Sequence, residues 1–460
     1  MTYLTKFGGL TPQRVAVAVL GVLAFLFLIW PLWRAQFPLS IWDNEGWNAY
    51  HIDEAIGGRQ LYRPGDSLVA NNYPPLSYYL IGWLSRIFGD ALYVGRALSL
   101  IATLATGVFV AQIVCQFAAG RLAAAVGGLW YVATMARFFD YYVGINEPQI
   151  LAQGIMAGGM AWFLKRQAAD RAVEPTVLIM VVAGFVKHNI VVMPVVALCW
   201  LGLHNWRLGL RAAVFAAAAV LVGLAICYGL YGADFFADML MPRAYLLERS
   251  LKAIGRLQFV LPALIIWLIW ARSEIKTPGV RFTALFIGFA LLVYLVQKAG
   301  AGVDENAQFD LVIAIGVGIG IAFDRLPVGP LTARSSSSRI RWIIFAVLVV
   351  RFMASSRLEF AYVIFSADYR ELAMRYSEIT RQETARIAAM PGGVGCNNNR
   401  LVCRMAGKPF AFDSFKVEMM VATGYRSLPS IYAEMAVRGI QLTDIDPRAS
   451  SVALHRRYER

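Results

Sequence analysis

Long apolar runs are the strongest constraint on how this chain of 460 residues folds. They lie near 14–33, 97–115, 121–137, 149–165, 176–186, 191–203, 212–231, 257–271, 282–298, 309–323 and 340–355. Most approach the roughly 20 residues that an α-helix needs to cross a bilayer. In lipid, every backbone N–H and C=O must bond within its own segment, so each run is expected to be helical. Hydrophobic residues make up 58% of the chain and charged residues only 16%. A water-soluble fold could not hide that much apolar surface. The expectation is an all-α polytopic membrane protein with about eleven transmembrane helices. The runs at 176–186 and 191–203 are short for full crossings. Half-helices meeting a cavity from the two sides of Lys187-His188-Asn189 are the alternative for that pair.

The basic residues orient the array. Lys6 and Arg14, then Arg121, then Lys165, Arg166 and Arg171, then Arg207 and Arg211 fall in alternate loops. Arg272, Lys276 and Arg281, then Arg325, Arg334, Arg339 and Arg341, continue the rhythm. The positive-inside rule places these loops in the cytoplasm. An odd number of spans then puts the N-terminus inside and residues after about 356 outside, in the periplasm of a bacterial inner membrane. The net charge of +14 is explained by this topology. No basic stripe interleaved with stacking aromatics points to nucleic acid. Pro31-Leu32-Trp33-Arg34 follows the first run where a signal peptide would carry a small-residue cleavage site, so that run reads as a retained helix.

Two regions follow. Residues 1–355 form the transmembrane domain, and residues 356–460 form a small external α/β domain. Within the first, 34–96 is a large periplasmic loop with interfacial helices. Trp42, Trp47 and Tyr50 mix there with Asp53 and Glu54, and Gly57-Gly58 ends the segment. Tyr73-Pro74-Pro75 breaks the chain before a short helix at 76–88. The loop 232–256, with Asp234, Asp238, Arg243, Glu248 and Arg249, is expected to cover a cavity. Residues 299–308 form a third external loop, and 324–341 a Pro/Gly/Ser-rich cytoplasmic linker. In the tail, 369–389 reads as a helix, 393–417 as short strands, and 430–438 as a helix. Cys396 and Cys403 flank a polar six-residue stretch there. An oxidising compartment favours a disulfide between them over two free thiols. Cys115, Cys199 and Cys227 lie in apolar runs and read as small core residues.

The candidate chemistry gathers on the external side. Asp43 and Glu45 open Trp42-Asp43-Asn44-Glu45-Gly46-Trp47, just after the first apolar run. Glu147 sits in Gly144-Ile145-Asn146-Glu147-Pro148, just after the third. Lys187 and His188 are expected at the same level. Carboxylates beside a cation at one membrane face suit acid–base chemistry on a lipid-borne substrate. Each residue also has a plainer role open to it. Asp43 and Glu45 could favour the dipole of a following helix. They could meet one volume across a loop, but on a helix they would not share a face. Glu147, before Pro148, could simply start a helix. Lys187 could pair with a phosphate or snorkel to the headgroups, and Arg96 and Arg137 carry the same two readings. There is no HExxH, CxxC, P-loop or Gly-rich nucleotide motif. His51, His188, His204 and His455 are too scattered for a histidine metal cluster, and no metal site is assigned.

Taken in order, these elements resemble those of the GT-C membrane glycosyltransferases, in the branch of protein O-mannosyltransferases and lipid A aminoarabinose transferases. Trp42-Asp43-Asn44-Glu45-Gly46 with Tyr50 looks like the acidic motif of the first periplasmic loop. Gly58-Arg59-Gln60-Leu61-Tyr62 and Asn72-Tyr73-Pro74-Pro75-Leu76 look like the two elements after it. Gly95-Arg96 with Ser99, Asn146-Glu147-Pro148, Gly184-Phe185-Val186-Lys187 and Gly302-Val303-Asp304-Glu305-Asn306 fall where further motifs stand. The likeness covers about residues 10–325, and the ordered set carries it. Two departures stand out: Asn44 separates the acidic pair, and Glu147 replaces an Asp. The resemblance implies an inverting transfer of a sugar from a polyprenyl-phosphate carrier to a cell-envelope acceptor (lipid, glycan or protein) at the periplasmic face. By it, Asp43 is the expected base, Glu45 the next candidate and Glu147 a second carboxylate. Lys187 and Arg96 would stabilise the departing phosphate, with His188 and Asn306 beside them. A divalent cation is compatible with this chemistry, although the sequence itself implies none. A transporter or flippase of a lipid-linked sugar would also gather ionisable residues in a membrane cavity. The absence of paired hydropathy halves counts against it. A polymer ligase or oligosaccharide transferase of related fold is the other rival.

Overall fold

The computed structural model describes residues 12–117, 120–325, 334–354 and 358–457. Ten of the eleven apolar runs fall on a single helix to within a residue or two, while 257–271 straddles a sharp bend at Val260. The chain begins with α1 (Pro12–Arg34), then α2 (Asp43–Ile56) and α3 (Leu76–Phe88). Next come α4 (Ala91–Cys115), α5 (Arg121–Phe138), α6 (Pro148–Ala168), α7 (Glu174–Val186), α8 (Val192–His204) and α9 (Trp206–Tyr231). The short helices α10 (Ala233–Met239) and α11 (Leu247–Ile254) lead to α12 (Leu261–Ser273), α13 (Pro278–Lys298), α14 (Phe309–Arg325) and α15 (Arg334–Met353).

Eleven full crossings are not what this set provides. By length and composition, five helices suffice to cross a membrane among the described residues, or six if a pair bent by 81° is one span. That pair is Leu247–Phe259 with Leu261–Ser273. Helices α7 and α8 have 13 residues each, too short for a hydrocarbon core of about 30 Å. They meet at Lys187-His188-Asn189, as half-helices would. The linker read at 324–341 is also shorter than expected. Arg325 still belongs to α14 and Ser335–Ser338 to α15, while 326–333 lie outside the described residues.

Local chemistry starts several helices where the sequence changes character. The Asp90 carboxylate caps α4 through Leu92 N–H at 2.8 Å. The Asn205 side chain caps α9, and Thr277 caps α13 ahead of Pro278. Helix α14 is the centre of the bundle, with every residue from Phe309 to Phe323 buried. Small residues let its backbone approach α5. A Cβ added at Gly127 would lie 2.7 Å from the Gly316 carbonyl, and one at Gly128 would lie 2.3 Å from that of Gly107 in α4. Glycine contacts of this kind hold helices together where lipid offers no hydrophobic drive.

The tail comprises α16 (Glu359–Phe365), α17 (Ala367–Ala389), α18 (Arg400–Met405), α19 (Ser414–Ala422), α20 (Leu428–Val437) and α21 (Val452–Arg457). Its sheet has two parallel strands, β1 (Gly393–Cys396) and β2 (Ile440–Thr443), in register from Gly393↔Ile440 to Cys396↔Thr443. The strands expected over 393–417 therefore reduce to β1. Its partner comes from 440–443, which the sequence does not set apart. Asp413 caps α19 through the N–H groups of Phe415 and Lys416, so that stretch turns helical. A disulfide between Cys396 and Cys403 ties the end of β1 to α18.

The tail packs into the rest of the molecule. Trp47, Tyr50 and Ile52 of α2 share one buried cluster with Val394, Val402 and Phe410. The Tyr50 and Phe410 rings stack with centroids 4.7 Å apart. Arg404 bonds the carboxylates of Asp53 at 2.8 Å and Asp90 at 2.6 Å. Gly46 allows the closest approach: a Cβ there would sit 2.2 Å from Leu401 N. That neighbour is backbone and cannot rotate away. Gly46→Ala is expected to destabilise the docking of α18 on α2 by about 1–3 kcal/mol, the usual cost of overpacking. Limited proteolysis reads this as faster cleavage in 390–460. Wild-type protection in Gly46→Ala would contradict the contact.

Candidate functional site

A cavity of about 440 Å³ opens where α2, the link between α7 and α8, the segments at 241–243 and 302–306, and the tail meet. Asp43, Lys187, His188, Arg243, Asp304, Asn306, Arg400 and Asp413 are among its lining residues. Several expected site residues thus come together although they are distant in sequence.

Asp43 and Glu45 both stand in the first turn of α2. Two positions apart on a helix, they diverge. Asp43 faces the cavity and its side chain is 36% exposed. Its Oδ2 accepts a hydrogen bond from Arg400. Its Oδ1 has no hydrogen-bond partner among the described residues. Desolvation raises the Asp43 pKa above the ordinary aspartate value, the nearby Asp413 adds to the rise, and Arg400 opposes it. The exposure is to the cavity rather than to open solvent, which reconciles it with that desolvation.

Glu45 is elsewhere. It is fully buried and does not line the cavity. Its two oxygens accept from Arg96 Nε and Nη2, each at 2.7 Å. Ile41 N–H and Asn146 N–H complete its bonding at 2.9 and 3.1 Å. Arg96 also donates to the carbonyls of Ala35, Phe37 and Leu39. All five guanidinium N–H groups are thereby used, leaving none for a phosphate. The expectation of Arg96 as a phosphate ligand and Glu45 as a base gives way to a buried clamp. It pins the loop after α1 to α2 and α4. Gly95 belongs to the same joint, since a Cβ there would fall 1.9 Å from Asn146 Oδ1.

Glu147 combines two roles. Its Oε2 accepts from Gln149 N–H at 2.7 Å, capping α6 ahead of Pro148. Its Oε1 accepts from Lys187 Nζ at 2.5 Å, with both side chains almost fully buried. Lys187 Nζ also sits 3.1 Å from the centroid of the Tyr73 ring. The ammonium is thus held between a carboxylate and an aromatic face at the wall of the cavity. Glu147 itself is behind that wall.

His188 lines the cavity next to Lys187. Desolvation, then the charges of Lys187 and Arg243, push its pKa down to about 4. The ring is therefore neutral at pH 7. Asn306 also lines the cavity, and its Nδ2 lies 3.5 Å from Gln149 Oε1. Arg137, the other arginine with an open reading, pairs with Glu359 and is remote from this lining.

Four more lining residues shape the cavity: Asp304 and Arg243, which sequence placed only within loops, and Arg400 and Asp413, which it did not single out. Asp304 accepts from the hydroxyls of Tyr142 at 3.0 Å and Tyr141 at 3.4 Å. Asp413 accepts from Trp47 Nε1 at 2.9 Å. Arg400, from the tail, bridges Asp43 and Asp413, the latter at 3.0 Å. Arg243 differs from the other cations, since no carboxylate lies within 4 Å of it among the described residues. Its guanidinium lies 5.7 Å from the Phe415 ring. A loop arginine carries no pattern that marks it before the fold is known. No group of three or more His, Cys, Asp or Glu is placed to hold a metal among the described residues.

No family model matches the sequence, and no curated protein matches it. Solved structures do. The crystal structure of ArnT from Cupriavidus metallidurans bound to undecaprenyl phosphate aligns at a TM-score of 0.57 and 15% identity, over 92% of this chain and 90% of that one. Its apo state aligns at 0.59 and 15% identity, over 96% and 94%. The fold is like that of ArnT. The likeness to ArnT takes in the tail as well as the helix bundle, because so little of either chain is left out. The apolar helices and the ArnT fold together make this a multi-pass membrane protein.

Proposed function

We propose that this protein is an inverting glycosyltransferase that moves a sugar from a polyprenyl-phosphate carrier to a cell-envelope acceptor. The reaction takes place at the periplasmic face of a bacterial inner membrane, with the N-terminus cytoplasmic and residues 356–460 periplasmic. The observation that carries the reading is the juxtaposition in one cavity of Asp43 with Arg243, a cation with no carboxylate within 4 Å among the described residues. That ArnT has been seen bound to undecaprenyl phosphate supports a carrier of this class.

The roles follow from charge. Arg243 and Lys187 bind the carrier phosphate. As the bond between the anomeric carbon and the phosphate oxygen breaks, negative charge grows on that oxygen, and fixed cations in a desolvated site stabilise it. Asp43 takes the proton of the acceptor hydroxyl as that oxygen attacks the opposite face of the sugar. One displacement of this kind inverts the configuration. Desolvation strengthens Asp43 as a base, while Arg400 opposes that rise and favours the ionised form. His188, neutral at pH 7, offers hydrogen bonds without adding charge, as does Asn306. Glu45 and Arg96 hold the frame, and Glu147 sets the position of Lys187.

Lipid extraction from a deletion strain tests the proposal. A polyprenyl-phosphate-linked sugar is expected to accumulate, and complementation by the wild-type gene should remove it. An unchanged lipid-linked sugar pool, with the envelope glycans also unchanged, would contradict the proposal.

A further inference from the structure

We infer that Arg400, carried by the tail, is a positioning residue for Asp43: it holds that carboxylate ionised and aimed into the cavity, so the tail completes the site. The inference rests on the reading of Asp43 as the base. Its own grounds are geometric.

Arg400 is 4% exposed and opens α18. It donates to Asp43 Oδ2, to Asp413 Oδ1 at 3.0 Å and to Ser414 Oγ at 2.8 Å. Its guanidinium therefore lies between two carboxylates that line the same cavity. Three contacts fix where it stands. The Cys396–Cys403 disulfide anchors α18 to β1. Arg404, one helical turn on, is bound by Asp53 and Asp90. The Leu401 backbone lies against Gly46 of α2. The chain is thus held before Arg400 at Cys396 of β1 and after it at Leu401, Cys403 and Arg404 of α18, and Asp43 opens α2, the helix it is held against.

A planar guanidinium shared by two carboxylates also answers an electrostatic need. Asp43 and Asp413 would otherwise repel each other in a desolvated space, and one of them would retain a proton. A protonated Asp43 cannot accept the acceptor's proton. The titratable and charged groups that line the cavity with Asp43 are Arg400 and Asp413 from the tail, with Lys187, His188, Arg243 and Asp304. Of these, Arg400 lowers its proton affinity and Asp413 raises it most directly.

Two substitutions should therefore move Asp43 in opposite directions. Arg400→Gln removes the cation, so Asp43 should hold its proton to higher pH. Asp413→Asn removes the repelling carboxylate and keeps the cap of α19, so Asp43 should lose its proton at lower pH. A role limited to folding would not give shifts of opposite sign. The measurement is a pH titration of the protonated-carboxyl infrared band, on the purified full-length protein in nanodiscs. The Asp43 component is the one lost in Asp43→Asn. The expected result is a midpoint raised by about one pH unit or more in Arg400→Gln and lowered in Asp413→Asn. Arg400→Lys should stay nearer the wild type, and Asp413→Asn keeps the test open if Arg400→Gln does not fold. Equal midpoints in wild type and Arg400→Gln, or in wild type and Asp413→Asn, or no component lost in Asp43→Asn, would overturn the inference. The titration uses no substrate, so it is independent of whether Asp43→Asn abolishes transfer. Loss of transfer with unmoved midpoints would reject Arg400's role and leave Asp43 as the base. Moved midpoints with normal transfer in Asp43→Asn would do the reverse.

Discussion

Arg96→Leu is expected to cost about 3–5 kcal/mol of stability, enough to leave little folded protein in detergent. The substitution strands the Glu45 carboxylate in a fully buried position, and it frees the carbonyls of Ala35, Phe37 and Leu39. An unpaired buried charge is among the few mechanisms that reach this size. Replacing both partners, as Arg96→Leu with Glu45→Leu, should recover part of the loss, because the orphaned charge is gone. Thermal unfolding of both variants beside the wild type in one detergent decides it. A single variant that melts like the wild type would mean that the clamp is not structural.

Lys187→Met is expected to weaken binding of undecaprenyl phosphate by about a hundredfold, the order seen when a buried charge partner is removed. The methionine keeps the apolar stem and loses the ammonium. It also leaves Glu147 buried without its cation. That second effect needs its own control, so the double variant Lys187→Met, Glu147→Gln is informative. The double variant should regain stability, because no bare carboxylate remains, while binding stays weak. Recovery of binding together with stability would show that Lys187 acts on the fold and not on the phosphate. Binding to nanodiscs doped with undecaprenyl phosphate reads both variants.

The membrane helices were legible because the bilayer makes them so. All the apolar runs except 257–271, which is bent at Val260, fall on a helix to within a residue or two, and 76–88 matched α3 residue for residue. The cavity was legible in part. Asp43, Lys187, His188 and Asn306 line it. Glu45 and Arg96 were read as chemistry, since a carboxylate and an arginine in ordered motifs look alike whether they serve a substrate or each other. Only distance separates the two cases. The conditional reading of Asp43 and Glu45 held the answer: on a helix they cannot share a face. Arg243 was placed in a loop expected to cover a cavity, but Arg400 and Asp413 were illegible for a different reason. Arg400 lies 357 positions from Asp43 in the chain, and nothing local records a contact of that range. Strand β2 was hidden similarly, as its pairing with β1 is set by the tail's packing.

The most direct test of the account is sugar transfer by Asp43→Asn. The assay uses proteoliposomes loaded with polyprenyl-phosphate-linked sugars extracted from the deletion strain, and it follows loss of the donor lipid with release of polyprenyl phosphate. Asparagine keeps the size of the side chain and removes the proton acceptor. Turnover should fall by about a hundredfold or more, while binding of undecaprenyl phosphate stays within about twofold of the wild type. Transfer at the wild-type rate would contradict the assignment of Asp43 as the base, and with Glu45 sealed against Arg96 it would remove the proposed chemistry from α2 altogether.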